Sequence, residues 1–143
     1  MESKTIAMGT TVELSVPAAK EMMLVVRLTT AAVMARVGLS ADGMDEMKMA
    51  VEEAANCLIQ TGCVSSIKLS FVRVPEGVSI SLLGVSDECA ECTGCDERKK
   101  RAVSADELAV IRCILETMAD EVALHEERGC IRAIELLSKT KRV

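Results

Sequence analysis

The sequence predicts an α+β fold of two layers, a mostly antiparallel sheet with its helices on one face. Three observations lead there. Several short runs alternate apolar with polar residues, as half-buried strands do; longer runs repeat their apolar residues at steps of three and four, as helices do; and pairs of strand-like runs are joined by turns too short for a crossover. The chain has 143 residues, half of them hydrophobic. That suffices for one real core, so a single domain over residues 1–143 is expected.

The elements follow in order. Val12, Leu14 and Val16 alternate with Thr11, Glu13 and Ser15, which predicts a strand that Pro17 stops. From Lys20 to Val37 the period becomes helical, with Met22, Val25, Val26, Ala32 and Val33 as the apolar stripe and Gly38 as the C-terminal glycine. Ser40 is suited to cap the next helix, which runs to Gly62. Its core stripe is Met44, Met47, Val51, Ala54, Ala55 and Leu58, with Asp45, Lys48 and Glu52 turned outward. Ile67, Leu69 and Phe71, then Val78, Ile80 and Leu82, form two alternating runs around Pro75-Glu-Gly77, the pattern of an antiparallel hairpin. Residues 84–103 lack periodicity and read as a loop. Ser104-Ala-Asp-Glu107 is a capping box that opens a helix with the stripe Leu108, Ile111, Leu115 and Met118. Val122–Leu124 and Ile131–Leu137 close the chain as a second hairpin around Arg128-Gly129.

Composition narrows the function. There is no Trp or Tyr and one Phe, against nine Met, so aliphatic and thioether side chains must fill the core. A net charge of −5 argues against a nucleic-acid backbone as direct partner, and the basic run Arg98–Arg101 reads as a solvated loop. The N-terminus has no signal pattern, and no apolar run reaches the roughly eighteen residues of a membrane span. A cytoplasmic protein is expected. Its seven Cys then read as reduced thiols, metal ligands or redox groups. Cys63, Cys113 and Cys130 read as packing residues, and His125 as a solvent-facing strand residue. The pair Met22-Met23 fits the core or a partner surface equally well.

Three segments carry a resemblance to a known family. They are Val26-Arg-Leu-Thr-Thr-Ala-Ala-Val with the later Gly38-Leu-Ser, Met47-Lys-Met-Ala-Val-Glu-Glu-Ala, and Leu108-Ala-Val-Ile-Arg-Cys-Ile-Leu-Glu-Thr-Met-Ala-Asp-Glu-Val. Together they resemble the bacterial anti-sigma-factor serine kinases, small members of the Bergerat, histidine-kinase-like ATPase superfamily. The resemblance implies that fold, a sigma factor or anti-anti-sigma factor as protein partner, dimers in many members, and Mg-ATP as cofactor. Arg27 matches an arginine that the family uses near its partner.

In the family, an N box of Glu, three residues and Asn positions the nucleophile and supplies an oxygen ligand to Mg²⁺. Here the matching positions are Glu53 and Cys57, and a thiol is a poor exchange for a carbonyl oxygen on magnesium. Glu52 and Asn56 offer an alternative pair, at the cost of turning the helix by about 100° and carrying Met47, Ala54 and Leu58 off the core. Of the family's Asp-x-Gly-x-Gly, Gly84 and Ser86 occupy the first two landmarks, and the nearest acid, Asp87, comes three residues late. Where the family has glycine-rich backbone before the helix that follows its ATP lid, this chain has Ala105, Asp106 and Glu107, whose carboxylates repel phosphate. The resemblance therefore implies a degenerate nucleotide site.

The lid position itself holds Cys89, Cys92 and Cys95. With Cys57 these could make a four-thiolate Fe–S or Zn site, and the plain alternative is a loop of free thiols with Cys57 in the core. Three functions stand open: a regulatory anti-sigma-like binding protein, a working serine kinase, and a metal- or redox-responsive switch.

Overall fold

The computed structural model describes residues 9–61, 64–86, 103–127 and 130–140. In chain order these form β1 (Thr11–Pro17), a single 3₁₀ turn (Lys20–Met22), α1 (Met23–Val37), α2 (Ala41–Thr61), β2 (Ser66–Val74), β3 (Gly77–Val85), α3 (Ala105–Glu116), β4 (Glu121–Glu127) and β5 (Cys130–Lys139). The strands make one five-stranded sheet in the order β1-β2-β3-β5-β4, and every neighbouring pair is antiparallel. This is the expected α+β arrangement.

Register sets the core. Leu69 lies opposite Leu14 on one side and Leu82 on the other, and Leu82 lies opposite Ile134, so one row of aliphatic side chains crosses four strands on the same face. Alternation sends Ser70, Ser81 and Glu135 to the opposite face, which is why that face tolerates water. The buried cluster joins these rows to Met47, Val51, Ala54, Ala55 and Leu58 of α2 and to Val26, Val33 and Met34 of α1.

Local chemistry bounds the helices as the sequence implies. Gly38 takes φ 93°, a left-handed conformation natural to glycine, and its N–H reaches the Met34 carbonyl at 3.1 Å, closing α1. Ser40 Oγ accepts the Gly43 N–H at 3.1 Å and starts α2. At α3 the capping box is complete: Glu107 N–H donates to Ser104 Oγ at 3.1 Å, and Ser104 N–H donates to Glu107 Oε1 at 3.0 Å.

Two expectations need correction. The stripe of α1 is not the expected one: Val25 and Ala32 face solvent, while Met23, Val26, Thr30, Val33, Met34 and Val37 are buried. The cause is that α1 is apolar on nearly all sides, so its sequence does not mark which side faces the core. Met23 belongs to the core, and Met22 packs against it. Cys113, expected as a packing residue, is exposed on α3, whereas Cys130 is buried at the start of β5.

Candidate functional site

Helix α2 presents two different edges. Its core stripe is Met47, Ala50, Val51, Ala54, Ala55 and Leu58, all fully buried. Successive helical residues are about 100° apart, so Glu52 and Glu53 fall on opposite flanks of that stripe. The Glu52 flank faces α1, where Glu52 Oε1 lies 3.2 Å from Arg27 Nε, both side chains partly exposed at 32% and 44%. The alternative N-box glutamate is thus engaged in an ion pair with the arginine expected at the partner surface. Neither half of that tertiary contact is visible in the sequence alone.

The other flank carries Glu53 and Cys57, one helical turn apart. Glu53 is half-buried. Cys57 is 6% exposed and belongs to the aliphatic core cluster. Burial pushes its thiol up from the ordinary 9.0 to about 11, and the nearby Glu53 carboxylate adds to the rise by disfavouring a second negative charge. At neutral pH this group is therefore a neutral, soft sulfur. Asn56, on the outer side of the same turn, is half-buried.

Gly84 lies near the end of β3, paired with Ile67. A Cβ there would stand 2.7 Å from Val64 Cγ1 and 3.8 Å from Leu58 Cδ2, so the missing side chain lets Val64 close over the end of α2. Ser86 follows, half-buried. Asp87, Cys89, Cys92 and Cys95 lie outside the described residues, as does Cys63. Among the described residues, no group of three or more His, Cys, Asp or Glu is placed to hold a metal ion. A shallow groove of about 300 Å³, where the β2–β3 turn meets β4 and β5, is lined in part by Glu76, Ser79, Glu121 and Leu137 and shares no residue with α2.

One feature escaped the sequence reading. Leu24, Val25, Leu28, Ala32 and Ala35 are all exposed on the outer face of α1, with Leu24 at 54% and Leu28 at 61%. Helical spacing puts Arg27 and Arg36 on the two borders of this face, about 180° apart. The sequence signals surplus apolar surface, because α1 carries no charge other than those two arginines, but does not mark which side of it is outward.

No protein-family model matches the chain. Over 49 residues it is 39% identical to the serine-protein kinase RsbW of Bacillus mycoides (strain KBAB4), a stretch that is 34% of this chain and 31% of that protein. Across 94% of the chain, the backbone follows the crystal structure of the RsbU and RsbW domains of Rv1364c from Mycobacterium tuberculosis with a TM-score of 0.66 and 14% identity. The resemblance is to the anti-sigma-factor serine kinases. The fold is the histidine-kinase-like ATPase fold of that family. The chain spans about a third of the length of either relative.

The family's cofactor can be set against these residues. Magnesium takes hard oxygen ligands in near-octahedral geometry, whereas Cys57, which the resemblance matches to the family's asparagine, is a packed, neutral thiol. At the start of α3, where an anion would meet free backbone N–H groups, Glu107 already accepts one of them and Asp106 adds a second carboxylate in the first turn. Among the described residues, neither Cys57 nor the start of α3 has the chemistry that a magnesium-bound triphosphate would need. No helix among the described residues is long and apolar enough to cross a membrane.

Proposed function

We propose that this chain is an anti-sigma-factor-like regulatory protein that works by holding a protein partner, a sigma factor or an anti-anti-sigma factor, with its nucleotide site degenerate. The outer face of α1 carries the reading. A helix that is apolar on nearly all sides belongs in an interior, yet the described residues cover only one side of α1. Burying a leucine or valine side chain contributes about 1.5–3 kcal/mol, so Leu24, Val25 and Leu28 together can anchor a specific partner. The bordering Arg27 and Arg36 favour a partner with acidic residues around its own apolar patch, and they set orientation more than affinity. Arg27 also holds Glu52, so a partner that recruits this arginine competes with a contact that ties α1 to α2.

A second reading, an ATP-dependent serine kinase with Glu53 as the base, is favoured by the 39% identity to a protein named as one. Affinity capture from the source cells with the wild-type chain and with Leu28→Asp separates the regulatory reading from an accidental apolar surface. The regulatory reading expects a sigma or anti-anti-sigma factor among the captured proteins and its loss with the variant. Equal capture by both chains would remove α1 from the account.

A further inference from the structure

Four observations around α2 bear on what this site can be regulated by. Cys57 is closed into the aliphatic cluster between Ala54 and Leu58, so its side chain is a filler of the core rather than a group offered to solvent. Glu53, the carboxylate that raises the Cys57 thiol, is a single hard ligand, and magnesium requires several oxygens in a near-octahedral shell. Of the other acids of α2, Glu52 pairs with Arg27 at 3.2 Å on the opposite flank and Asp45 with Lys48 at 3.3 Å, while Asp42 and Glu46 are exposed in the N-terminal half of the helix. At the start of α3 the capping box takes up the Ser104 and Glu107 N–H groups.

We propose that the α2 site has exchanged the divalent cation of its relatives for side-chain packing, so that this chain has no magnesium-dependent response to nucleotide. The inference rests on the family reading given above and deepens it. Whatever controls partner binding here acts without a cation bridging phosphate charges. Cys57 holds its place by volume and by being uncharged, which a cysteine does well in an aliphatic setting.

The test uses the full chain and no protein partner, so its outcome is independent of whether a sigma or anti-anti-sigma factor binds α1. ATP is titrated calorimetrically in millimolar Mg²⁺ and again in excess chelator, and Mn²⁺ is followed by electron paramagnetic resonance with ATP present. The account expects the two titrations to agree within about twofold, or to show no binding in either buffer, and the Mn²⁺ signal of the mixture to match that of Mn²⁺ with ATP alone. An affinity about tenfold or more higher with Mg²⁺ would overturn it, since a cation neutralising phosphate charge should contribute at least that much. Protein-dependent Mn²⁺ immobilisation would overturn it as well. Cys57→Ala, which keeps the position small and apolar, should behave as the wild type in both arms; a magnesium response that it abolished would assign the cation to this position after all.

Discussion

The carboxylate of Glu53 and the thiol of Cys57 share one flank of α2, and the charge of the first helps the second keep its proton. The relationship gives the stability of the chain a pH dependence of known sign. Because the folded thiol holds its proton to about 11 against an ordinary 9.0, its contribution is whole below pH 9 and is lost as the pH rises through 11. The loss is at most about 2.7 kcal/mol. Urea unfolding of the wild type and of Cys57→Ala across this range should diverge, with the wild type falling more steeply. Burial is the larger cause, so Glu53→Gln should lower the thiol only part of the way back.

The Arg27–Glu52 pair joins two helices but sits half in water. Its coupling in a double-mutant cycle should be about 0.2–1 kcal/mol and should shrink as salt is added. A coupling well above that range would mean that the pair is far less solvated than its exposure implies.

Ser104 holds the first turn of α3 by its side-chain oxygen, and Glu107 returns the bond. Ser104→Ala should cost about 0.5–2 kcal/mol in chemical denaturation. Ser104→Asp, which keeps an acceptor at the same place, should cost much less.

Gly77 is the tightest glycine in the sheet. A Cβ there would lie 2.0 Å from the Ser138 carbonyl oxygen and 2.9 Å from Lys139 Cα, both backbone atoms that cannot rotate away. Gly77→Ala should destabilise by about 3 kcal/mol or more, at or beyond the upper end of ordinary overpacking. Gly84→Ala meets the Val64 side chain instead and should cost less, which comparison of unfolding midpoints would show.

These elements also divide what the sequence discloses from what it conceals. β1, the β2–β3 hairpin and both serine caps were legible because alternation, turn residues and capping boxes are local signals. The face of α1 was not: with apolar residues on nearly every side, periodicity assigned Val25 and Ala32 to the core when they are exposed. The Glu53 and Cys57 positions were nameable from the resemblance. That Cys57 packs among aliphatic side chains, and that Glu52 is held by Arg27, are tertiary facts without a sequence signature. The order β1-β2-β3-β5-β4 likewise depends on pairings between strands distant in the chain.

The outer face of α1 is where the account is most directly exposed to test. The measurement is the dissociation constant between the purified chain and a sigma or anti-anti-sigma factor captured from its own cells. Leu28→Asp would be compared with Leu83→Asp, a control at an apolar residue 45% exposed on β3. The account predicts that Leu28→Asp weakens binding about a hundredfold or more, as loss of a central apolar anchor does, while Leu83→Asp leaves it unchanged. Undiminished binding by Leu28→Asp, with its fold intact, would contradict it.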